Sequence, residues 1–337
     1  MISIKEIARL AGVSAKTAER ALSGATKDKR RDARERAGKV REIAASHGYQ
    51  PSELALALRR GSTQSIGFLS DVLTDQFLAA AAETIMDEAA KNHYRTSLKI
   101  ARFDKGQTEE EIKSFLASGV TAINTSCVSR QLPDHIFHTL EKNSYPVFTL
   151  CGRSTFDFSS VAPDYSSALP QAVGFLAEKG HKKIILSLFD GKEYDNKVTE
   201  NLFRKSCRKN KVDGEVRIHT SLQQAADLAG EMPKAVILYG KYSMRLFIDR
   251  CMQKNHIPDI IGFYNEWTSA SALKFPLQGI ILEQAENAVR FAVRQVIGEL
   301  NGEKRCHKLF TAKFVKKEEF SCLKLPDLAN QRLFDIQ

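Results

Sequence analysis

Apolar residues in the first 50 positions of the chain recur at the spacing of short helices. Ile4, Ile7, Ala8 and Ala11 fall on one helical face, and Gly12 follows as a helix-ending residue. Only one side of this segment is apolar, as expected for a helix that packs against a neighbour. The pattern therefore predicts a first short helix that begins near Ile4.

Polar residues at the ends of the apolar runs predict where the helices begin. Ser3 and Glu6 have the spacing of a capping box, and Ser14 can cap a second helix. A third helix is expected over residues 32–47. Two short helices joined by a tight turn form the smallest helix-turn-helix, and the third completes an all-α head at residues 1–50.

Residues 51–62 separate this head from the rest of the chain. Pro51 stops the third helix, and residues 54–58 read Leu-Ala-Leu-Ala-Leu. The period of that run fits a strand or a short helix, and it holds more leucine than a solvated linker needs. We assign residues 51–62 as a hinge helix or linker.

From Ser65 onward, β and α patterns alternate. Strands are predicted at residues 66–70, 97–101, 122–127, 147–151, 183–189, 235–239 and 260–264. Helical patterns separate them, including one that Thr108 and Glu111 cap and that runs to Ala117. This alternation predicts two doubly wound parallel sheets, a class that binds ligands at the carboxyl ends of its strands.

The two sheets define two lobes of one α/β body over residues 63–337. We place the first lobe at residues 63–161 plus 284–304, and the second at residues 162–283 plus 305–325. Two lobes that face each other form a cleft that can close on a ligand.

Positive charge is concentrated at one end of the chain. The formal net charge is +10, and residues 1–61 hold 14 Lys and Arg against 7 Asp and Glu. A basic patch gains affinity for a polyanion by releasing condensed counterions, so the charge favours nucleic acid as a partner. A basic surface that serves only solubility is the alternative.

The sequence lacks the signatures of common enzyme classes. It contains no GxGxxG or GxxxxGK[ST] loop and no Gly-x-Ser-x-Gly elbow. His135 and His138 lie one helical turn apart and could share a metal, although two surface histidines are the simpler interpretation. We expect neither catalysis nor a bound cofactor or metal.

Segments for export or membrane insertion are not predicted either. The six cysteines form no close pair, no apolar stretch approaches the about 20 residues of a membrane span, and the N-terminus lacks an export-signal pattern. We therefore expect a cytoplasmic protein. A transport protein that kept a two-lobed ligand-binding body is a rival function, and the missing signal and the basic head argue against it.

Head and body both contain motifs that carry a family resemblance. They are Ile4-Lys5-Glu6-Ile7-Ala8-Arg9-Leu10-Ala11-Gly12-Val13-Ser14, Thr17, Arg20, Gly48-Tyr49 and Pro51, and in the body Gly180-His181-Lys182-Lys183-Ile184 and Ile261-Gly262-Phe263. Together they resemble the lactose/purine-repressor (LacI-type) family of bacterial transcriptional regulators. The likeness implies a periplasmic-binding-protein-like body that binds an effector and dimerises.

The same likeness implies a mechanism. A homodimer would bind a near-palindromic operator in the nucleoid, and closure of the lobes on an effector would change DNA affinity. Repression is the family default. Residues 325–334 are too short for the heptads that build a tetramer, so a dimer is expected.

By this resemblance, the second helix reads the major groove and the hinge enters the minor groove. The candidate DNA-binding residues are Ser3, Ser14, Ala15, Lys16, Thr17 and Arg20 in the head, and Leu54, Ala55, Leu58 and Arg59 in the hinge. Arg20 can bond bidentately to guanine, Lys16 can reach guanine or a phosphate, and Ala15 offers a methyl-sized contact. The Leu58 pair of a dimer would wedge between base steps at the operator's centre. Glu19 departs from the family, where a small Ser is usual.

The family's ligand-binding positions are altered in this chain. Its usual Arg aligns with Thr199, and its Asp with Tyr264-Asn265. The candidate effector-binding residues are Asp71, Phe77, Arg153, Lys197, Thr199, Asn265 and Trp267. With Lys192 and Lys241 this set contains several cations, which suits an anionic effector such as a sugar acid or sugar phosphate. Solvated lysines, a Trp267 that only fills the lobe, and a regulator that answers to a protein partner or to no ligand remain alternatives.

Overall fold

The computed structural model describes residues 2–22, 31–49, 57, 62–127, 133–150, 152, 156–190, 193–267 and 273–323 of the 337-residue chain. The chain divides into two compact units, Met1–Gln64 and Ser65–Gln337, each with its own core.

Three helices form the first unit: α1 Ile4–Ala11, α2 Ala15–Leu22 and α3 Arg31–Ser46. Their shared core is made of Ile7, Ala8, Ala11, Ala18, Ala21, Ala37, Val40 and Ala44. Because most of these side chains are alanines, the helix backbones can approach closely around the two larger residues. The three helices expected from the apolar pattern are therefore all present.

The ends of α1 show one difference from the expected capping. The Ser3 hydroxyl accepts a hydrogen bond from the Glu6 backbone N–H at 3.2 Å, as predicted. The Glu6 carboxylate, however, bonds Arg9 Nη2 at 2.6 Å, so the second half of the capping box does not form. Gly12 ends the helix in the left-handed conformation at φ +67°.

The second unit alternates strands and helices. Its first half contains β1 Ser65–Ser70, α4 Gln76–Lys91, β2 Arg95–Ile100, α5 Lys105–Ala117, β3 Ala122–Thr125, α6 Asp134–Lys142, β4 Val147–Thr149 and β5 Ser159–Asp164. Its second half contains α7 Ala168–Glu178, β6 Lys183–Phe189, α8 Glu193–Lys209, β7 Asp213–His219, α9 Leu222–Asp227, β8 Ala235–Leu238, α10 Lys241–Gln253, β9 Asp259–Asn265, β10 Leu277–Glu283, α11 Ala285–Leu300, β11 His307–Thr311 and β12 Lys313–Lys316.

These strands form two six-stranded sheets. The first has the order β2-β1-β3-β4-β5-β11 and is parallel throughout. The second has the order β7-β6-β8-β9-β10-β12, in which only β12 runs antiparallel. Each sheet has a buried cluster on both faces, as expected for doubly wound sheets. Among the described residues, no helix is both long and apolar enough to cross a membrane.

The lobe boundaries differ from those drawn on the sequence. β5 extends the first sheet to Asp164 rather than to residue 161. β11 also belongs to the first sheet, whereas residues 305–325 had been assigned to the second lobe, and the chain crosses at Ala312. The helix expected from Thr108 begins earlier, at Lys105, because the Asp104 side chain caps it.

Three crossings connect the lobes, and hydrogen bonds tie them together. The chain crosses after Asp164, at Gln284 and at Ala312. The Gln284 side chain donates to the Thr311 carbonyl at 2.9 Å, and the Ala312 N–H donates to the Asp164 carbonyl at 2.9 Å. The three crossings therefore form one hydrogen-bonded connection between the lobes, beside the cleft.

Candidate functional site

One side of α2 is exposed and basic. Ala15, Lys16 and Arg20 are exposed, whereas Ala18 and Ala21 are buried against the other helices. Lys16 and Arg20 are four residues apart and so lie one above the other on the same face. The packing of the small apolar residues therefore presents the two cations outward together.

The start of α2 is fixed by its cap. Thr17 donates its backbone N–H to the Ser14 hydroxyl at 3.2 Å, and the two hydroxyl oxygens lie 2.8 Å apart. Ser14 and Thr17 thus form a hydrogen-bonded pair at the helix N-terminus, where the helix dipole favours a phosphate. Ser3 occupies the equivalent capping position on α1.

The far end of α2 is held by α3. The Arg41 guanidinium Nε donates to the Ala21 carbonyl at 3.2 Å. This bond satisfies one of the last carbonyls of α2, which have no partner inside their own helix. The exposed face of α2 is therefore on a helix supported at both ends. The hinge candidates Leu54, Ala55, Leu58 and Arg59 lie outside the described residues.

A cavity of about 330 Å³ lies between the two lobes. It opens at the carboxyl ends of strands from both sheets, the position that doubly wound sheets use for ligands. Four of the candidate effector residues line it: Asp71, Phe77, Asn265 and Trp267. Asp71 follows β1 and Asn265 ends β9, so strands of both lobes contribute to one wall.

The other effector candidates are not brought together with these four. Thr199 is buried within α8 and Lys197 is exposed on the same helix, and neither lines the cavity. Arg153 lies outside the described residues. The alignment of Thr199 with the family's Arg position therefore does not place Thr199 in the cavity wall.

The charged side chains in the described part of the cavity wall are carboxylates. Among the described residues that line it, Asp71, Asp75 and Glu283 are acidic and none is Lys, Arg or His. Lys192 and the side chain of Lys241 lie outside the description. The described lining is therefore acidic, and of the four cations on which the anionic-effector hypothesis rests only the Lys197 side chain is described; it does not line the cavity.

Asp71 is the most buried of the three carboxylates, with a relative exposure of 3%. Burial raises the pKa of its carboxyl, and hydrogen bonds from the Cys127 thiol and the Phe103 backbone N–H oppose that rise. The ionised form is thus disfavoured by desolvation and only partly compensated. A cation beside it would stabilise the ionised form.

Two aromatic rings form one side of the cavity. The ring centroids of Phe77 and Trp267 are 5.6 Å apart, with their planes inclined by 52°. Asp75 caps the helix that carries Phe77 by accepting its backbone N–H at 2.8 Å. The Asn265 side chain accepts the Trp267 backbone N–H at 3.1 Å. Phe77 therefore stands in the capped first turn of α4, and Trp267 stands on a turn that Asn265 stabilises.

Glu283, an acidic residue beside a lobe crossing, was not among the residues predicted from the sequence. Glu283, the last residue of β10, accepts the Tyr165 hydroxyl, and Tyr165 packs against the Phe263 ring with centroids 5.1 Å apart. Burial, followed by the negative charge of Glu283, raises the pKa of Tyr165 well above its ordinary value. Both residues flank lobe crossings, so only the order of strands in the sheets could have located them.

The two histidines considered as metal ligands bind carboxylates instead. His135 Nε2 lies 3.1 Å from Glu109, and His138 Nδ1 lies 3.4 Å from Glu141. No group of three His, Cys, Asp or Glu side chains is arranged to hold a metal within the described part of the chain. Each histidine is thus half of a separate surface pair.

Comparisons with known proteins agree with this architecture. Residues 3–52 match the family model described as "Bacterial regulatory proteins, lacI family". Catabolite control protein A of Staphylococcus xylosus is 26% identical over 205 residues, which is 60% of this chain and 59% of that protein. The match thus spans less than two thirds of that relative's length.

Two solved structures share the fold. The lac repressor dimer bound to operator and the anti-inducer ONPF has a TM-score of 0.78 at 16% identity and covers 94% of this chain and 98% of its own. The Cra transcriptional dual regulator of Pseudomonas putida, in complex with fructose 1-phosphate, has a TM-score of 0.65 at 15% identity and covers 75% and 98%. At such identities the likeness shows the fold alone.

Proposed function

We propose that the chain is a transcriptional repressor of the lacI family of bacterial regulatory proteins, and that it binds a near-palindromic operator as a homodimer. Its relatives are transcriptional regulators, not enzymes. The observation that carries the proposal is the exposed face of α2, where Lys16 and Arg20 point away from the core that Ala18 and Ala21 fill. Such a protein acts on DNA in the cytoplasm.

Base recognition is assigned to this face of α2. Arg20 can bond bidentately to guanine O6 and N7, Lys16 can reach a guanine or a phosphate, and Ala15 can contact a thymine methyl. The Ser14–Thr17 pair at the helix N-terminus and Ser3 at the start of α1 suit phosphates, which fix the orientation of the head on the duplex.

The predicted hinge helix at residues 51–62 completes the DNA contact in this proposal. Leu54, Ala55, Leu58 and Arg59 would form a short helix on the operator, with Leu58 of each subunit entering the minor groove. An apolar wedge costs a few kcal/mol of unstacking, which the contacts of the bent duplex offset. The support for this step is the resemblance of the sequence.

The interlobe cavity would hold a small, carbohydrate-like effector that gates DNA affinity. Its volume of about 330 Å³ suits a small molecule, and its wall is built from both lobes, so a bound ligand would favour the closed arrangement. Because the hinge precedes the first lobe, closure can alter the spacing of the two heads in a dimer. The alternative, a regulator with no small effector, is supported by the loss of the family's Arg at Thr199.

Selection of bound sequences from random duplex DNA tests the proposal. The full chain is incubated at moderate salt, alone and with sugars or sugar derivatives, and the bound DNA is sequenced. A symmetric consensus that one class of compound strengthens or abolishes is the expected result. A consensus unaffected by every compound would favour the alternative, and the lack of any consensus would overturn the assignment of the head.

A further inference from the structure

The lining of the interlobe cavity indicates the chemical class of its ligand, provided that the cavity is the effector site proposed above. The described wall combines carboxylates with aromatic rings. Asp71 enters from the first lobe and Glu283 from the second. A ligand held between them would therefore contact negative groups of both lobes.

Asp71 is the stronger of the two carboxylates as a ligand-binding group. Its relative exposure is 3%, yet it lines the cavity. Because little water surrounds this carboxylate, its attraction to a positive group of a ligand in the cavity would be stronger than at the protein surface. All three carboxylates have partners: Asp71 accepts from the Cys127 thiol and the Phe103 backbone N–H, Asp75 from two backbone N–H groups of α4, and Glu283 from the Tyr165 hydroxyl. Asp71 differs from the other two in being almost fully buried. A buried carboxylate that faces a cavity is stabilised best by a cation.

The Phe77–Trp267 pair provides a flat apolar surface beside that charge. The two rings lie 5.6 Å apart, and Tyr239 and Phe263 of the second lobe also line the cavity. Aromatic faces attract cations and pack against the apolar face of a ring. The arrangement suits a ligand with a ring body and a positive group.

A buried amide lies on β3, the strand that leads to the cavity residue Ser126. Asn124 is fully buried on β3, and neither its Nδ2 nor its Oδ1 has a hydrogen-bond partner. It lies two residues before Ser126, which lines the cavity, whereas Asn124 itself is not one of the lining residues. An unpartnered buried amide is costly, and an internal water beside Asn124 would satisfy it.

We propose that the cavity takes a small organic cation, a protonated amine carried on a ring, with Asp71 as its counter-ion and the Phe77–Trp267 pair against the ring. The ammonium group is the chemistry that the wall recognises. The ring can be that of an amino sugar or of an arylalkylamine, and the test separates these two sources. A neutral sugar and a sugar phosphate are the competing ligands.

Isothermal titration of the full chain with matched compounds tests the charge preference. The sugar series is glucosamine, glucose and glucose 6-phosphate, and the aromatic series is phenethylamine and 2-phenylethanol. In at least one series the amine is expected to bind roughly tenfold or more tightly than its neutral counterpart. Equal binding within both series, tightest binding of glucose 6-phosphate, or no binding of either amine would overturn the proposal.

Variants of Asp71 assign the preference to this carboxylate. Asp71→Asn should remove the advantage of the amine over its neutral counterpart, whereas Asp71→Glu, which keeps the charge, should retain part of it. Asp249→Asn makes the same chemical change on the exposed surface of α10 and should leave the preference unaltered. Trp267→Leu should weaken both members of a series. An amine preference that survives in Asp71→Asn would overturn the role of Asp71.

A DNA-binding assay in parallel keeps this inference separate from the proposed function. Operator affinity of the ligand-free chain is measured by gel shift on the selected consensus. Retained operator binding with no amine preference would overturn the ligand class alone. Failure to bind any DNA sequence would overturn the proposed function, whatever the titrations show.

Discussion

The carboxylate of Asp195 lies directly against Gly152. A Cβ on residue 152 would overlap Asp195 Oδ2, and Gly152 has a φ of +106°, which side-chain-bearing residues rarely adopt. Gly152 follows β4 of the first sheet and Asp195 lies in α8 beside the second, so the two lobes meet at this point. Gly152 and Asp195 therefore form a direct contact between the two lobes.

Replacing Gly152 with alanine should separate the lobes. The added methyl group cannot occupy the position of the Asp195 carboxylate, so the arrangement with this contact loses stability relative to a more open one. The expected result is a larger radius of gyration in small-angle scattering and weaker effector binding. Gly230→Ala is the matched control, since a Cβ there meets nothing within 4 Å.

A double variant separates this contact from backbone strain. Asp195→Ala in the Gly152→Ala background should restore much of the compact scattering if the clash is the cause. Strain from the positive φ would remain in the double variant. An unchanged radius of gyration in the single variant would show that the lobes do not depend on this contact.

Arg20→Ala should relax base preference at one symmetric pair of operator positions. A bidentate arginine–guanine contact discriminates by about 1 to 3 kcal/mol, and alanine cannot replace it. Competition binding on operators changed at each position measures the loss. Lys5→Ala, on the exposed side of α1, is the control and should weaken binding evenly across sequences. A preference profile identical to that of the unmodified chain would exclude Arg20 from base recognition.

Leu58→Ala should reduce DNA bending without altering the preferred flanking bases. Leu58 lies outside the described residues, so this prediction rests on the family resemblance. Loss of the wedge removes both the unstacking and the contacts that a bent duplex allows. Bending is measured by energy transfer between dyes at the ends of the operator. Full bending by the variant would contradict a minor-groove role.

The head and the central strands follow from the sequence because their signals are local. Helical spacing and capping residues define α1 to α3, and central strands such as β6 are continuous apolar runs. The edge strand β11 was missed, because of its five residues only Phe310 is partly buried. An edge strand of this kind carries no apolar pattern, and its place depends on pairing with β5 far earlier in the chain.

The sequence predicted only some of the residues that line the cavity. Strand ends pointed to Asp71 and Asn265, because carboxyl ends of parallel strands meet at one edge of a sheet. Thr199 was chosen by alignment with the family's Arg, and Lys197 because it follows a predicted strand end. Both lie on α8, and a helix turns by about 100° per residue, so a small error in position moves a side chain out of the cavity. Glu283 required the order of the strands across both lobes.

Asp71→Asn should stabilise the folded protein at neutral pH. Burial raises the pKa of Asp71 above 3.8, so the folded chain holds this proton more strongly than the unfolded chain does. The resulting stability is complete below pH 3.8 and is lost as the pH rises through the folded-state pKa. An asparagine at this position has no carboxyl group to ionise and can still accept a hydrogen bond.

Urea unfolding of both proteins between pH 3.5 and 7 should give similar free energies of unfolding at the acid end and a higher free energy for the variant at the neutral end. Asp249→Asn, on the exposed face of α10, should follow the unmodified chain throughout. A variant less stable at pH 7 would mean that the thiol and amide bonds to the carboxylate outweigh its desolvation. The same measurement with a saturating amine should reverse the order, because only the ionised Asp71 gains from the ligand.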